Sequence, residues 1–389
     1  MIDFELSEEQ RAMQTLAREF AEKEIKPIAA ERDRLPAAEC FPMDIVPKLS
    51  KIGLRTLSLD KKYGGSGLDP LTIAIMLEEL AVGDIGISEI VALSGGKFVE
   101  DIQENATEEQ CQKFLIPFAK DENALIATSA TEPEVGSERL SGYQGPIRVK
   151  TTAKLDGDEW VINGTKQWCS GGLVAKLLRV VVMTDEGQAT ILVPKDTPGV
   201  SVGHVHEKLG DRLLPTSEMM YENVRVPREN MIGKPRKTVE PTRRYARSSN
   251  AYAAACALGV GRAAYEAALE YAKTRIQCGK PIIEHQAIGG MLADMYAHLK
   301  AGRLFYMEAA WRANRKEYYD PKCHAMAKVF CCEVAADVAR KALEIHGGYG
   351  ATKDFPLEKY VRDTISLLHS DGTSQALTDR TAVCLAEGW

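Results

Sequence analysis

The spacing of apolar residues changes twice along the chain, and these changes constrain the fold more than any other feature. Residues 1–121 repeat apolar side chains every three or four positions, the period of an α-helix. Residues 122–235 follow period two and are rich in β-branched residues, which predicts strands. Long helical patterns return over 236–389. The sequence therefore predicts an α+β fold with an N-terminal helical domain (1–121), a central antiparallel β-barrel or sandwich (122–235) and a C-terminal four-helix bundle (236–389).

Local signals place individual elements within this frame. Two capping boxes, Ser7 with Gln10 and Thr107 with Gln110, each predict the start of a helix. The strings Asp156-Gly157-Asp158 and Asn163-Gly164 predict hairpin turns. The C-terminal bundle helices are predicted at 245–275, 284–313, 321–346 and 373–387.

Composition excludes several classes of function. The net charge is -6 and there is no basic run, so binding to nucleic acid or an anionic membrane is not expected. No apolar run has the length of a membrane span, and the acidic N-terminus does not resemble a targeting peptide. The nine cysteines lack framework spacing, which predicts reduced thiols in a cytoplasmic protein. Cys323-His324 and Cys331-Cys332 follow a helical period, so buried small residues are expected there and no metal site.

Two short strings in the C-terminal half allow more than one interpretation. Asp371-Gly372-Thr373 stands between two amphipathic stretches, where it is either a turn or a carboxylate placed to act as a base. Thr373 is also suited to cap the helix that follows. The string Gly-x-Gly-x-x-Ala at 259–264 imitates a dinucleotide fingerprint, but no strand precedes it, so it predicts a closely packed helix.

Four strings occur in order and at characteristic spacings, and together they resemble the acyl-CoA dehydrogenase family over essentially the whole chain. They are Ala127-Thr-Ser-Ala-Thr-Glu-Pro-Glu-Val-Gly-Ser-Glu138, Asn163-Gly-Thr-Lys-Gln-Trp-Cys-Ser170, Thr274-Arg-Ile-Gln-Cys-Gly-Lys-Pro-Ile-Ile-Glu-His-Gln286 and Leu368-His-Ser-Asp-Gly-Thr-Ser-Gln375.

The resemblance implies an enzyme that binds FAD and an acyl-CoA thioester, transfers electrons to an electron-transfer flavoprotein and assembles as a homotetramer. It also implies roles for residues. The cofactor-binding set is Thr128, Ala130, Thr131, Gly136, Ser137, Trp168, Ser170, Arg275, Gln277, Gln286, Glu344, Gly347, Gly348, Thr373 and Gln375. The substrate-binding set is Ser137, Arg247, Asn250, Ser370 and Gly372.

The resemblance implies that Asp371 removes the α-proton while its backbone N–H supports the thioester oxygen. Family members usually have Glu at this position, and the shorter Asp changes the reach of the base. An Arg usual in the segment 247–250 is replaced by Asn250, and a Tyr usual before the base is Ser370. Glu344 and Cys278 depart from the family pattern as well. These changes predict a reshaped acyl pocket for a branched or alicyclic acyl group, as in the cyclohexane-carboxyl-CoA dehydrogenases of anaerobic bacteria.

Glu89 is a second acid on a helix that lines the acyl pocket in the family. Its expected position is a solvated helix face. If it instead points inward, it is a candidate base for 1,4-dehydrogenation of a cyclic enoyl-CoA. Three further functions are compatible with the same residues: a flavin monooxygenase, a flavin-binding protein without catalysis, and an enzyme that runs the reverse reaction and reduces an enoyl-CoA.

Overall fold

A computed structural model describes residues 5–146, 148–238 and 248–388. Seven α-helices precede the first strand in this part of the chain: α1 Glu8–Phe20, α2 Lys26–Arg32, α3 Ile45–Lys51, α4 Pro70–Gly83, α5 Ile85–Ile90, α6 Phe98–Asn105 and α7 Glu108–Lys120. Both capping boxes form as predicted, at Ser7 and at Thr107. Helices α5 and α6 are joined by a π-helical turn, Val91–Lys97.

A mixed β-sheet follows. Its strands are β1 Ile126–Ser129, β2 Thr152–Asp156, β3 Glu159–Ser170, β4 Leu177–Thr184, β5 Gly187–Pro194, β6 Val200–Val205, β7 Thr216–Pro227 and β8 Met231–Arg236. Their order is β6-β7-β3-β2-β4-β5-β8, with β1 alongside β4. The sheet is antiparallel except that β1 and β2 each pair with β4 in parallel. A core of alternating strand residues such as Ile162, Val180 and Ile191 lies beneath it.

One of the two predicted hairpin turns is wrong. Gly157-Asp158 does join β2 to β3. Asn163-Gly164, however, lies inside β3, where the register with β7 shifts between Ile162 and Gly164. The extra residue of this bulge lies in β7, where Glu222 and Asn223 stand opposite Asn163 and Asn223 has φ 51°. The dipeptide Asn163-Gly164 has the composition of a turn, and only the pairing with β7 shows that it is part of a strand.

The C-terminal part is helical. Its long helices pack against one another, and they are α8 Ser249–Thr274, α9 Gln286–Ala313, α10 Pro321–His346 and α12 Ser374–Ala386. Two-residue strands, β9 Ile276–Gln277 and β10 Lys280–Pro281, lie between α8 and α9. They correspond to the four predicted bundle helices, although the expected start of α8, at 245, falls outside the described residues. A shorter helix, α11 Leu357–Leu367, leads into the loop that carries Asp371.

The largest apolar core joins the two helical parts. It contains Leu77 and Leu80 of α4, Tyr252 and Leu258 of α8, and Val338 of α10. Gly259 allows close packing because a Cβ there would lie 2.3 Å from the Glu78 carbonyl oxygen. The string at 259–264 is thus a tightly packed helix, as predicted. Within the described ranges no helix is both long and apolar enough to span a membrane.

All nine cysteines are unpaired, and most are buried. Cys331 and Cys332 lie in the core at 0% and 1% exposure. No group of three metal-ligating side chains occurs in the portion of the chain that the structure describes. Cys331 and Cys332 therefore act as small apolar residues, as their helical period predicts.

Candidate functional site

A cavity of about 1150 Å³ lies where the N-terminal helices, the β-sheet and the C-terminal helices meet. Most of the sequence-predicted residues of the first, second and fourth strings line it. They are Thr128, Ala130, Thr131, Gly136, Ser137, Trp168, Ser170, Ser370, Asp371 and Gly372, and Asn250 and Glu89 line the cavity with them. The three parts of the fold thus bring distant strings of sequence into one site.

Asp371 sits in the loop between α11 and α12 in a left-handed backbone conformation, with φ 48°. A non-glycine residue in this region carries a steric cost, which commonly marks a functional position. Gly372 follows with φ 92°, and the Thr373 side chain accepts a hydrogen bond from Ala376 N, capping α12. Asp371-Gly-Thr is therefore both the turn and the helix start that the sequence allowed, with its carboxylate at the cavity.

A buried lysine braces this loop from below. Lys328 of α10 is 0% exposed, and its Nζ donates to the carbonyl oxygens of Leu367 and Gly372, at 2.8 and 3.0 Å. These bonds fix both ends of the segment that contains Asp371. No motif in the local sequence identifies Lys328. The one available signal is that a charged residue stands among the apolar positions of a helix.

Lys97 is a second site residue that sequence reasoning missed. It ends the π-helical turn between α5 and α6, and its Nζ lies 2.7 Å from Oδ1 of Asp371. Gly95 allows the turn to pack closely, since a Cβ there would lie 2.4 Å from the Arg55 carbonyl oxygen. π-helical turns are frequent at functional sites. The isolated Lys in an apolar run is the signal that could have identified it.

Glu89 does not lie on a solvated face. It is 6% exposed, lines the cavity and has an Oε1 without a hydrogen-bond partner among the described residues. Burial, followed by the charges of Asp211 and Asp371, raises its pKa well above the usual range for a carboxyl. The expectation of a surface position is wrong because α5 is surrounded by protein, with all six of its residues buried.

Asp211 is a third carboxyl at this cavity, and no local motif in the sequence singles it out. Its Oδ2 accepts from Lys208 at 2.6 Å, while its backbone N–H donates to Asp363 Oδ1 at 2.8 Å. Burial raises its pKa to about 7 despite the opposing charge of Lys208. The cavity therefore contains two carboxyls with raised pKa values, Asp211 and Glu89. The ion pair of Lys97 and Asp371 lies at the same cavity.

The β-sheet wall is fixed by a buried ion pair. Arg179 of β4, 1% exposed, bonds Asp101 of α6 through Nε at 2.6 Å. A second guanidinium nitrogen of Arg179 donates to the Thr128 hydroxyl at 3.1 Å. Because both charges are paired, the guanidinium orients Thr128 without adding an uncompensated charge to the cavity.

The turn after β1 is held by another buried pair. Lys166 bonds Glu132 at 2.8 Å, and both side chains are almost fully buried. The Glu132 carboxylate also accepts from the backbone N–H groups of Lys150 and Thr151. The Thr131 carbonyl oxygen accepts from the backbone N–H of residue 167 at 2.8 Å. Thr131 is thus positioned at the cavity edge by a network and not by the turn sequence alone.

Trp168 is not a core residue. It has φ 56°, is 56% exposed and stacks on His206 with ring centroids 4.2 Å apart. A register shift between Lys166 and Cys169 turns the indole out of the sheet. Both rings line the cavity, and burial lowers the pKa of His206, which keeps that imidazole uncharged at neutral pH.

Gly136 gives the cavity an open edge, since a Cβ there would meet nothing within 4 Å. Asn250, in the first turn of α8, also lines the cavity. Its Nδ2 is buried and has no acceptor in the part of the chain described. Arg247, predicted with it, lies outside the described residues.

A second cavity of about 580 Å³ gathers the third string. Arg275, Gln277, Gly347 and Gly348 line it together with Tyr349, whose ring lies 5.9 Å from the Arg275 guanidinium carbon. A Cβ at either glycine would meet nothing within 4 Å, so backbone is open to a ligand there. A guanidinium beside exposed glycine backbone is suited to a phosphate group.

Four predicted cofactor residues line neither cavity. Thr373 caps α12, Gln375 and Gln286 are exposed, and Glu344 pairs with Arg340 on the surface. Within one chain these residues are not brought to the main cavity. Their assignment to the cofactor stays a prediction that needs a second subunit.

The main cavity offers a defined chemistry. The Asp371 carboxylate has one oxygen bonded to Lys97, and no described group hydrogen bonds the other. No described acceptor takes the backbone N–H of Asp371. A carboxylate next to a free N–H can remove a proton from a carbon while stabilising negative charge on an adjacent oxygen.

Family models match nearly the whole chain in three consecutive segments. They are the acyl-CoA dehydrogenase N-terminal domain over residues 7–122, the middle domain over 127–224 and the C-terminal domain over 246–383.

Individual relatives agree with these matches. The short-chain specific acyl-CoA dehydrogenase of Clostridium acetobutylicum is 37% identical, over 96% of this chain and 97% of that protein. The structure of butyryl-CoA dehydrogenase from Megasphaera elsdenii superimposes with TM-score 0.89 at 29% identity, covering 99% of this chain and 100% of that one. A glutaryl-CoA dehydrogenase from Mycobacterium smegmatis in complex with FADH2 gives TM-score 0.88 at 26% identity, covering 98% and 95%.

Proposed function

The chain belongs to the acyl-CoA dehydrogenase family, and from this premise we propose that Asp371 is the base that removes the α-proton of an acyl-CoA thioester. The family assignment makes the chain an FAD-dependent oxidoreductase. The observation that carries the proposal is the Asp371 carboxylate at the cavity, next to its own backbone N–H, which donates to no acceptor among the described residues.

The residues present fit a flavin. The wall of Thr128, Ala130 and Thr131 faces the main cavity, and Arg275 with Gly347 and Gly348 lines the second one. The first group suits a ring held against a strand end, and the second suits a pyrophosphate. When FAD is bound, it supplies the acceptor for the β-hydride.

The protein's own part is to bind, orient and deprotonate. The N–H of Asp371 stabilises the thioester oxygen as the α-proton leaves, because a thioester α-carbon is a weak acid without such a donor. Oδ2 of Asp371 takes the proton, since Oδ1 is held by Lys97. Lys97 also limits where the short Asp side chain can lie, which favours a single orientation of the base.

Two lines of support bear on the acyl group. Two of the three relatives named above are a short-chain specific enzyme and a butyryl-CoA dehydrogenase, which supports a compact acyl group. The departures at Asp371, Ser370 and Asn250 support a branched or ring-shaped one, as in cyclohexane-carboxyl-CoA. Both lines of support are satisfied by an acyl group that has few carbons along the chain and a branch or a ring.

A second candidate function has its own observation. Glu89 is buried at the same cavity as Asp371. This position supports the 1,4-dehydrogenation of a cyclic enoyl-CoA, with Glu89 as the base that acts further along the substrate.

Electron transfer and assembly complete the proposal. Bound FAD would need an external electron acceptor, and the proposal assigns that role to an electron-transfer flavoprotein. The proposed assembly is a homotetramer. The separation of Gln286, Glu344 and Gln375 from both cavities supports a partner subunit that completes the cofactor site.

The test is reduction of the bound flavin by substrate under anaerobic conditions, measured as the loss of the flavin's colour. Straight, branched and alicyclic acyl-CoA thioesters are added separately to the holoenzyme, and the proposal predicts bleaching by short or wide acyl groups. Bleaching confined to long straight chains contradicts the compact pocket. Normal bleaching by Asp371→Asn, with none by Glu89→Gln, transfers the role of base to Glu89.

A further inference from the structure

One wall of the main cavity, formed by Glu89 and Asp211, contains polar atoms that a hydrocarbon acyl group would leave unpaired. Oε1 of Glu89 and Oδ1 of Asp211 are buried and lack hydrogen-bond partners in the described ranges. The two residues are 6% and 5% exposed. Glu89 lines the cavity, and neither of its carboxyl oxygens makes a hydrogen bond to a described residue. A buried carboxyl without a partner is costly, so this carboxyl points to a polar group on the ligand.

The position of these atoms relates them to the acyl group. Glu89 and Asp371 line one cavity, and they are near enough for the Asp371 charge to act on Glu89. With Asp371 at the α-carbon, as the proposed function states, the inference places Glu89 against the part of the acyl group beyond that carbon. The inference therefore rests on the proposed function and narrows its substrate class.

The charges near this wall decide what kind of polar group fits. Among the cations, Lys208 and Lys328 act most strongly on Glu89. Lys208 is paired with Asp211, and Lys328 is buried with its Nζ on two carbonyl oxygens. A substrate carboxylate here would lie next to the carboxyls of Glu89 and Asp211. Lys208 and Lys328 would not compensate its charge, because both already have hydrogen-bond partners within the protein.

A cationic group fits no better. An ammonium on the substrate would need an ionised Glu89, and burial opposes that ionisation. The wall therefore favours a neutral polar group that can both donate and accept a hydrogen bond.

We propose that the substrate's acyl group carries a hydroxyl beyond the β-carbon, and that Glu89 binds this hydroxyl and determines specificity for it. The hydroxyl donates to the unpaired carboxyl oxygen and can accept from a donor in turn. A site built in this way rejects the analogue that lacks the hydroxyl, because the buried carboxyl oxygen is then left unpaired.

Binding of enoyl-CoA products tests the inference without turnover. Calorimetry on the oxidised holoenzyme compares crotonyl-CoA with 4-hydroxycrotonyl-CoA, and cyclohex-1-ene-carboxyl-CoA with its 4-hydroxy derivative. We expect the hydroxylated member of at least one pair to bind about tenfold or more tightly. Glu89→Leu should remove this preference, whereas Glu89→Gln, which keeps a hydrogen-bonding side chain, should retain most of it.

Several results would overturn the inference. Equal binding within both pairs shows that Glu89 does not recognise a hydroxyl, and this comparison needs no variant to fold. Stronger binding of glutaconyl-CoA or 4-aminocrotonyl-CoA than of 4-hydroxycrotonyl-CoA assigns the wall to a charged group instead. A preference that survives Glu89→Leu assigns it to another residue. Failure of every thioester to bind contradicts the proposed function itself, and the inference falls with it.

Discussion

The Nζ atom of Lys97 lies 2.7 Å from Oδ1 of Asp371, joining the buried π-helical turn after α5 to the loop before α12. The two residues are 274 positions apart in the sequence. Their side chains are 9% and 25% exposed, so the pair is largely shielded from solvent. The contact fixes one carboxylate oxygen and leaves the other free to accept a proton.

Lys97→Met should therefore impair catalysis more than binding. Without the ammonium, the Asp371 side chain loses its fixed orientation, and a misplaced base costs on the order of 10²-fold in rate. We expect kcat to fall by about 10- to 100-fold with a smaller change in KM. Lys97→Arg, which keeps the positive charge, should retain a higher kcat than Lys97→Met. Flavin content should stay unchanged.

The exposed Lys120 at the end of α7 provides the matched control. Lys120→Met should leave kcat unaltered. An unaltered kcat in Lys97→Met would show that the ion pair does not position Asp371.

Lys328→Met should destabilise the protein. Lys328 donates to the Leu367 and Gly372 carbonyl oxygens from a fully buried position. Each buried acceptor left unpaired costs about 1–3 kcal/mol, so losing both bonds should lower the free energy of unfolding by roughly 2–6 kcal/mol. Urea unfolding measures this loss. The exposed Lys300 of α9 is the control, since Lys300→Met should change the midpoint little.

Asp211 should make stability fall as pH rises. Its pKa is raised to about 7 in the folded protein by burial, whereas an unfolded Asp titrates near about 3.9. The folded state therefore holds the proton more tightly, and this contribution is lost between about pH 4 and pH 7. Each pH unit in that window removes at most about 1.4 kcal/mol.

Asp211→Asn, which cannot titrate, isolates this effect. Urea unfolding of both proteins at pH 5 and pH 8 should show a larger loss for the natural chain than for the variant. An equal loss in both proteins would assign the pH dependence to other groups.

Much of the site is predictable because its strings carry their own local signals. The Asp371-Gly-Thr turn, the Thr373 cap and the helices after both capping boxes follow from residues within a few positions of one another. The fold class follows from the change in the spacing of apolar residues along the chain, because that spacing indicates which face of each helix or strand is buried.

The site residues that the sequence did not predict are defined by contacts between distant segments. Lys97, Lys328 and Asp211 become site residues only when the N-terminal helices, α10 and the β-sheet meet at one cavity. Glu89 is wrongly expected at the surface because a carboxylate normally avoids the core. The Asn163-Gly164 pair has the composition of a turn, although it lies within β3 opposite a bulge in β7.

The most direct measurement is anaerobic flavin bleaching by Asp371→Asn holoenzyme, with Asp354→Asn as a surface control. An acyl-CoA that bleaches the natural protein is added to both variants, and flavin content is measured first. The account predicts that Asp371→Asn retains FAD but is not bleached, while Asp354→Asn behaves as the natural protein. Bleaching of Asp371→Asn at the natural rate would contradict the assignment of Asp371 as the base.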